Sequence, residues 1–372
     1  MFAIRIDDNL SLRPPDDRDA EALLAIVDTN RELFRRWLGW VDQMQNPANV
    51  RDYFQRYRKD LVENGSRGFV IRYDGRIVGW VVLIVRDAST QKAEIGYWMD
   101  EAAGGKGIMT RAARAVTDYA FGQPGMNRLI IRCGPGNTKS CGVAERLGFT
   151  YEGLLRQEVK LHFGYDDVKL YAMLAQDWDG PRDTVLAWRV DDEVSLRQFE
   201  PHHAEALYAL IDANREHLRQ WRQWLPWVDQ SNSIAVTRDF IHRALDQYTA
   251  NNGVQCGIWY RGELAGAIGY HKWDFDHRKT EIGYWLAQTF TGKGIMTRAA
   301  RKLVDYAVYE LDLNRVEIRC GTENAASCAV AKRLNMQHEG MMRQAEWVND
   351  HYVDWNIFAT HAADWRERRE SL

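Results

Sequence analysis

The chain has little cysteine, and its cysteines follow no pattern of metal ligands or cross-links. Five occur among 372 residues, and no two of them form a Cys-x-x-Cys pair. An odd number without ligand spacing fits reduced thiols in the cytosol better than a disulfide framework or a zinc site. We therefore predict no metal centre. The five are Cys133, Cys141, Cys256, Cys320 and Cys328.

The chain also lacks a strong excess of charge and long apolar runs. Its formal net charge is -3, from 49 lysines and arginines against 52 aspartates and glutamates. This balance argues against a nucleic-acid binder, which would have a strongly basic face. No apolar run is long enough to cross a bilayer, so no membrane partner is expected. The opening residues MFAIRIDDNL contain no apolar core of the signal-peptide type, and a cytoplasmic location is therefore expected.

What the chain does contain is a long internal repeat. The ten residues GKGIMTRAAR occur at Gly105–Arg114 and again, unchanged, at Gly292–Arg301. A shift of 187 residues aligns the longer stretches Glu94–Phe121 and Glu281–Val308, with 18 of 28 positions identical. Because this period is far too long for a solenoid, it indicates two copies of a whole domain.

The seam between the copies is predicted at Gly180-Pro181, since this dipeptide interrupts regular structure. The predicted domains are residues 1–180 and 181–372. Fused copies of one domain could also pair within the chain, with pseudo-two-fold symmetry.

Each copy shows the same order of strand and helix patterns, with an edge strand first (Phe2–Ile6 and Leu186–Val190). The first copy then predicts a helix or helix pair from Leu23 to Trp37, a hairpin at Asp74-Gly75, a strand ending in EIGYW, a helix after Gly107, a strand at Leu129–Cys133, a helix at Ser140–Leu147, and a strand pair through Tyr165 and Leu170. Antiparallel hairpins before a central strand–helix–strand unit predict the α/β class, with a mixed sheet and flanking helices.

The repeated Gly-Lys-Gly turn lies between a strand and a helix. Such a turn exposes successive backbone N–H groups at the positive end of the helix, an arrangement that holds phosphate or pyrophosphate. Alone it is a weak signal, because a tight helix entry with nothing bound has the same letters. It is not a P-loop, because Gly107 follows Lys106, and Thr110 replaces the third glycine of a dinucleotide fingerprint.

The motifs around the turn are more specific. In order they are EIGYW, GKGIMT, an amphipathic helix, NRLIIRC, Asn137-x-x-Ser140 and Arg146-Leu147-Gly148-Phe149. This series resembles the GNAT family of N-acetyltransferases, and within it the ribosomal-protein N-terminal acetyltransferases (the RimJ/RimL-like group). The resemblance covers nearly all of both halves. It implies tandem GNAT-like domains that transfer acetyl from acetyl-CoA to an amine.

The resemblance also implies which residues bind the coenzyme. The backbone of the turn and the helix start would hold the pyrophosphate, the strand end after EIGYW would hold the thioester carbonyl, and an asparagine would reach the pantetheine arm. These residues are Gly105, Lys106, Gly107, Ile108, Met99 and Asn137 in the first half, and Gly292, Lys293, Gly294, Ile295, Leu286 and Asn324 in the second.

The catalytic candidates are one carboxylate and one serine in each half. Glu94 and Glu281 lie where family members place the residue that relays the amine proton, although a simple ion pair with Arg132 or Arg319 fits equally well. Ser140 and Ser327 fall in the first turn of a helix, where N–H dipoles stabilise a thiolate. The resemblance assigns them its reprotonation, and helix capping is the alternative.

Other residues could contribute to the reaction. Tyr165 and Tyr352 could replace the serines as the acid, but a packed core position is the preferred reading. Early helices should wall the acceptor cleft, with Trp40 and Trp227 read as core, and with Arg35 and Arg222 facing an acidic acceptor. The remaining wall candidates are Arg36, Trp37, Trp221 and Trp224.

Duplication leaves several functional readings open. Both halves keep the loop, the glutamate and the Asn-x-x-Ser motif, so we expect both to bind coenzyme. The second half retains Phe290 before its loop and is the surer catalyst, which leaves the first free to degenerate. Two rival functions remain. The protein could be a non-catalytic acetyl-CoA sensor or scaffold, or an enzyme that transfers a longer acyl group.

Overall fold

The computed structural model describes residues 2–87, 89–219, 227–348 and 351–370. The described chain divides into two compact units, whose boundary along the sequence falls between Leu186 and Ala187. Each unit is described by itself. The predicted boundary at 180/181 falls between the last strand of the first unit, which ends at Leu174, and the first strand of the second, which begins at Ala187.

The first unit contains eight strands and five α-helices among its described residues. The strands are β1 Ile4–Arg5, β2 Leu10–Arg13, β3 Arg67–Tyr73, β4 Arg76–Asp87, β5 Lys92–Met99, β6 Arg128–Cys133, β7 Thr150–Leu161 and β8 Gly164–Leu174. The helices are α1 Ala20–Thr29, α2 Arg31–Arg35, α3 Pro47–Asn64, α4 Ile108–Phe121 and α5 Thr138–Arg146.

The second unit repeats this order in its described part. Its strands are β9 Ala187–Arg189, β10 Val194–Gln198, β11 Gln255–Tyr260, β12 Glu263–Asp274, β13 Lys279–Leu286, β14 Arg315–Gly321, β15 Gln337–Val348 and β16 His351–His361. Its helices are α6 Ala204–Ala213, α7 Arg215–Arg219, α8 Trp227–Gln230, α9 Ile234–Thr249, α10 Ile295–Tyr309, α11 Ala325–Arg333 and α12 Ala362–Glu370.

Each unit is built on one mixed sheet, which confirms the predicted α/β class. The strand order is β1-β2-β3-β4-β5-β6-β8-β7 in the first unit, and β9 to β14 followed by β16 and β15 in the second. All neighbours are antiparallel except β5 with β6 and β13 with β14. A parallel pair needs a crossover, and α4 and α10 supply it. The short strands β1 and β9 lie at the sheet edges, as predicted.

The predicted hairpin at Asp74-Gly75 joins β3 to β4. Both residues have positive φ, 47° at Asp74 and 75° at Gly75. This is the conformation of the two-residue turns that match the twist of paired strands. Arg261 and Gly262 make the equivalent turn in the second unit, with φ of 50° and 87°.

The sequence prediction missed the long helix α3 and also the C-terminal helix α12. The pattern predicted a helix or helix pair ending near Trp37, whereas a further helix follows at Pro47–Asn64. Its start is marked by Asn46, whose side chain accepts from the Asn49 amide, and by proline in the first turn. Gly65, with φ of 83°, ends it. Both signals are readable in the sequence, and α9 occupies the same place in the second unit.

Candidate active site

The Gly-Lys-Gly loop of the second unit joins β13 to α10. The backbone φ is 74° at Gly292 and 70° at Gly294, and α10 begins immediately afterwards at Ile295. Residues with a side chain rarely adopt this left-handed conformation. Apart from the glycine itself and its neighbours along the chain, no heavy atom of the described residues lies within 4 Å of the point where a Cβ would stand at either glycine. The space beside the loop is therefore open to a ligand.

The loop of the first unit has the same geometry. Gly105 and Gly107 have φ of 78° and 68°, and α4 begins at Ile108. A Cβ at either glycine would again meet nothing within 4 Å. The structure thus places a glycine-flanked helix start, with the unsatisfied amides that every helix start has, in both halves of the chain.

The loop lysines lie over aromatic rings. The Lys106 Nζ is 5.4 Å from the ring centre of Tyr73, and the Lys293 Nζ is 5.5 Å from that of Tyr260 and 5.3 Å from that of Phe290. These contacts are within the range of cation–π attraction. The lysine side chains therefore have partners within the protein, which leaves the backbone amides as the main groups that the loop offers to a phosphate.

The arginine on the first turn of each loop helix also has partners. The Arg298 Nη1 lies 2.8 Å from Asp191 Oδ2 and 3.2 Å from Glu193 Oε2. Arg111 pairs with Asp7 in the equivalent place. These ion pairs tie the helix start to the first hairpin of the sheet.

The central parallel strands diverge beside each loop. The pairing of β13 with β14 ends at Glu281, although β13 continues to Leu286. In the first unit the pairing of β5 with β6 ends at Glu94, and β5 continues to Met99. Both glutamates therefore lie at the last paired position before the gap. The backbone of Met99 and Leu286 lies at the strand end where the thioester carbonyl was predicted.

Each glutamate forms an ion pair, as the alternative reading of the sequence proposed. The Arg319 Nε is 3.3 Å from Glu281 Oε2, and the Arg132 Nε is 3.4 Å from Glu94 Oε2. Glu281 also has His271 at 4.0 Å. The Glu94 side chain is 12% exposed and that of Glu281 is 26% exposed.

The pKa of Glu281 is raised by burial of its carboxyl. The Arg319 guanidinium and His271 oppose this rise, while the nearby carboxylates of Glu317 and Glu346 add to it. Desolvation disfavours the charged form of a carboxyl, and a neighbouring cation favours it. Glu281 is therefore a carboxylate whose proton affinity is increased, a property that is typical of functional sites.

Asn137 and Asn324 cap helices, as predicted. The Asn137 Oδ1 accepts from the Ser140 amide at 3.1 Å, and the Asn324 Oδ1 accepts from the Ser327 amide at 3.0 Å. Each cap satisfies one orphan amide of α5 or α11. It also holds the serine in the first helical turn, where the sequence placed it.

A half-buried tyrosine contacts each serine, and the sequence analysis did not identify it. The hydroxyls of Ser140 and Tyr97 are 3.3 Å apart, and those of Ser327 and Tyr284 are 3.1 Å apart. Burial raises the pKa of both tyrosines, so they remain protonated. These tyrosines belong to the EIGYW motifs, and alternation along the strand places them and the glutamates on different faces.

The tyrosines that the sequence analysis did name occupy a different environment. Tyr165 is 65% exposed and Tyr352 is 56% exposed. The preferred reading of them as packed core residues was wrong, because both lie near the turn of the last hairpin, where the sheet surface is open.

A cleft of about 1380 Å³ in the second unit brings the predicted residues together. Seven predicted residues are among those that line it: Glu281, Leu286, Gly292, Gly294, Ile295, Asn324 and Ser327. Tyr284 and Arg319 also line it. A concave site with a few convergent polar groups and a perturbed carboxyl is the expected form of a ligand site.

Two of the tryptophans predicted near the acceptor site lie in different surroundings. Trp40 packs against the core of the first unit, as predicted. Trp227 lines the cleft of the second unit and packs on Trp285 with ring centres 5.7 Å apart. Its reading as core rather than wall was therefore wrong, because the cleft extends to its ring.

The other wall candidates give no support to an acidic acceptor. The Arg35 Nε is 2.8 Å from Asp42 Oδ1, so its charge is already paired. Arg36 is exposed, and Trp37 is half-buried. Trp221, Arg222 and Trp224 lie outside the described residues.

Metal-ligand clusters and membrane-spanning helices are both absent from residues 2–87, 89–219, 227–348 and 351–370. No group of three or more His, Cys, Asp or Glu side chains there is placed to hold a metal ion. No helix there is long and apolar enough to cross a membrane.

A comparison with known protein families finds the acetyltransferase (GNAT) domain twice in the sequence, at residues 9–150 and again at residues 193–337. The chain therefore belongs to the GNAT family of acetyltransferases, with one domain in each half. This assigns it to the N-acetyltransferases whose cosubstrate is acetyl-CoA.

Similar proteins each correspond to about half of this chain. One of them is YdaF of Bacillus subtilis strain 168, which is named as a putative ribosomal N-acetyltransferase. It is 38% identical over 178 residues, and the match covers 48% of this chain and 96% of YdaF. The ribosomal-protein-serine acetyltransferase of Escherichia coli K12 is 29% identical over 171 residues, covering 46% of this chain and 94% of that protein.

Among solved structures, RimL, a ribosomal L7/L12 alpha-N-protein acetyltransferase in complex with coenzyme A, is 28% identical. The TM-score is 0.44, and the matched region covers 46% of this chain and 97% of the RimL chain. The match to the GNAT domain and the similarity to YdaF confirm the predicted family and its RimJ/RimL-like branch.

Proposed function

We propose that the protein transfers acetyl from acetyl-CoA to a primary amine, namely the α-amine of a protein N-terminus or of a small aminoacyl compound. The observation that carries this proposal is that a single cleft of the second unit is lined by Gly292, Gly294, Glu281 and Ser327. The phosphate-binding turn, a candidate base and a candidate acid are therefore reached from one space.

The residues around the cleft fit the coenzyme in kind and position. Acetyl-CoA supplies an acetyl thioester when bound. The amides at Gly292, Gly294 and Ile295 would hold its diphosphate, because a helix start with bare glycines accepts anions. The backbone at Leu286 and the side chain of Asn324 would hold the thioester carbonyl and the pantetheine arm.

Glu281 is the group that we expect to take the amine proton. Attack on a thioester needs a neutral amine, and a base is most effective when its pKa is near the working pH. Burial moves the pKa of Glu281 in that direction, and Arg319 limits the rise. The proton would pass from the attacking nitrogen to the carboxylate, directly or through water, as the nitrogen–carbon bond forms.

Ser327 is the group that we expect to protonate the leaving sulfur. The carbon–sulfur bond breaks as the amide forms, and the electron pair stays on the sulfur. Ser327 lies in the first turn of α11, where helix amides stabilise an anion. Its hydroxyl would give a proton to the thiolate and recover one through solvent.

The acceptor is proposed from the energetics of deprotonation. A lysine amine with a pKa near 10.4 costs about 4.6 kcal/mol to neutralise at pH 7, whereas an α-amine near 7.8 costs about 1 kcal/mol. With one candidate carboxylate per site, the α-amine is the easier nucleophile. The name of the Escherichia coli relative, a ribosomal-protein-serine acetyltransferase, supports the same choice.

Thiol release tests the proposal. The full chain would be assayed with acetyl-CoA and three amines: a peptide with a free N-terminal serine, an aminoacyl compound, and spermidine. We expect Glu281→Gln to lower kcat/KM for the peptide about 100-fold with little change in coenzyme affinity. Glu263→Gln, at the exposed tip of the β11–β12 hairpin, is the matched control. A wild-type chain that releases only background thiol with every amine would identify a sensor or scaffold instead.

A further inference from the structure

The two halves carry side chains of very different size at one position of the strand next to the diverging pair. Trp80 in β4 lies opposite Trp98 of β5, and Ala267 in β12 lies opposite Trp285 of β13. The register of the two sheets therefore makes Trp80 and Ala267 equivalent. An indole ring in the first half is therefore replaced by a methyl group in the second.

The helix that packs on this strand also carries a large side chain in the first half and a small one in the second. The N-caps Asn46 and Ser233 align α3 with α9, and Tyr57 then occupies the place of Ala244. The Tyr57 ring centre lies 5.5 Å from that of Trp80. Two rings of the first half are thus absent from the second at facing positions.

In the first unit these rings fill the space between helix and sheet. Trp80 is fully buried, and its ring stacks on Phe54 at 5.7 Å with an interplanar angle of 11°. The Tyr53 ring lies 5.4 Å away. A void of only about 10 Å³ remains there, which is at the lower limit for one water molecule. It is lined by Leu23, Val27, Trp40, Met44, Val50, Tyr53, Phe54, Trp80 and Trp98.

In the second unit the same region is part of the open cleft. Ala244 of α9 and Ala267 of β12 line it, together with Phe240, Gln247 and His271. The cleft is continuous from these residues to the coenzyme loop, because Gly292 and Gly294 line it as well. Glu281 lies along the same wall, so a molecule that enters between α9 and β12 reaches the proposed base.

We infer that the acceptor enters the second unit between α9 and β12, and that the first unit holds coenzyme without room for an acceptor. Trp80 and Tyr57 close the first unit, and Ala267 and Ala244 keep the second unit open. This inference rests on the proposed function. It divides the work of the duplicated chain into one transferring half and one half that only binds coenzyme.

A bisubstrate conjugate provides the first test. Coenzyme A is joined through an acetyl spacer to a peptide that begins with serine, and both free coenzyme A and the conjugate are titrated into the full chain by calorimetry. We expect two sites for coenzyme A. At one site alone the conjugate should bind about 100-fold more tightly than coenzyme A, because linkage adds the acceptor contacts. Two equally tightened sites would overturn the inference and leave the proposed function standing.

A conjugate that gains nothing at either site would have a different meaning. It would refute the α-amine acceptor on which the inference rests, and the inference would fail with it. The two failures are therefore distinguishable by the number of tightened sites.

The second test transfers the first half's residue to the second. Ala267→Trp should lower turnover with the serine peptide about 100-fold, the size of loss that follows from a misplaced substrate, and should reduce the conjugate to the affinity of coenzyme A. Both coenzyme sites should remain, which also reports that the variant is folded. Glu263→Trp adds the same side chain at the exposed start of the same strand; it is the matched control and should keep turnover within twofold. Unchanged turnover in a folded Ala267→Trp chain would overturn the inference, and if this variant does not fold, the conjugate titration decides.

Discussion

The Tyr284 hydroxyl donates to the Ser327 carbonyl oxygen at 3.2 Å and lies 3.1 Å from the Ser327 Oγ. Either hydroxyl can be the donor of the second contact, so the Ser327 Oγ can accept from Tyr284 and keep its own proton for the leaving sulfur. Tyr284 therefore orients Ser327 beside the cleft. Tyr97 holds Ser140 by the same two contacts, at 3.1 and 3.3 Å.

We expect Tyr284→Phe to lower kcat about fivefold, because the hydrogen bond that orients Ser327 contributes about 1 kcal/mol. Coenzyme affinity should not change, since the tyrosine ring remains in place. Steady-state thiol release and calorimetry measure the two quantities. Tyr352→Phe is the competing variant, because Tyr352 is the alternative acid. A larger loss of kcat in Tyr352→Phe than in Tyr284→Phe would reverse the assignment.

The pH dependence of the reaction should depend on Arg319. This guanidinium lowers the pKa of Glu281 against the effect of burial. Its removal in Arg319→Gln leaves a buried carboxyl with fewer cations, so the pKa of Glu281 rises further. The base then becomes ionised only at higher pH. We expect the acidic limb of the profile of kcat/KM against pH to move to higher pH in this variant.

The comparison needs a variant that removes an arginine elsewhere. Arg261→Gln deletes a surface ion pair with Glu193 at the tip of the first hairpins and should leave the acidic limb in place. An acidic limb that does not move in Arg319→Gln would mean that Glu281 is not the titrating base.

Local signals made the conformation of the loop and of the helix cap predictable from sequence. A Gly-Lys-Gly turn before a helix requires positive φ at two positions, and Asn-x-x-Ser is a capping pattern with its hydroxyl in the first turn. Both depend on neighbours in the chain, so the letters identify Gly294 and Asn324 directly. Glu281 was named from the resemblance to the family, and its role as the base stays a prediction.

The acceptor side could not be predicted in this way, because it depends on contacts between distant segments. Trp227 was read as core from helical spacing alone, and its exposure to the cleft depends on what faces it across the domain. Whether the space is filled depends on pairs such as Trp80 with Tyr57 in the first half and Ala267 with Ala244 in the second. These pairs become visible only when the register of the sheet and the helix above it are known.

Coenzyme binding by the first half can be tested at Gly107. Its φ of 68° costs an alanine about 1–2 kcal/mol. Gly107→Ala should therefore rearrange the loop and weaken one of the two coenzyme sites about tenfold. Gly65→Ala is the matched control, because Gly65 has a φ of 83° and equally open surroundings but lies at the end of α3. A loss of affinity in both variants would indicate general destabilisation rather than a phosphate site.

Asn324 has two proposed roles that substitution can separate. Asn324→Ala removes the cap of α11, whose side chain accepts from the Ser327 amide, and should cost about 1 kcal/mol of the free energy of unfolding. In a domain of this size that loss lowers Tm by about 2–4 °C. Asn324→Asp keeps an oxygen acceptor for the amide and should restore Tm. Asn324→Ala should also weaken coenzyme binding, because the side chain that would contact the pantetheine arm is gone. Asn324→Asp lacks the amide donor as well and places a negative charge there, so its coenzyme affinity should remain as low as that of Asn324→Ala. Thermal unfolding and calorimetry on the three proteins measure both effects, and an aspartate variant that recovers full coenzyme affinity would show that Asn324 is a cap alone.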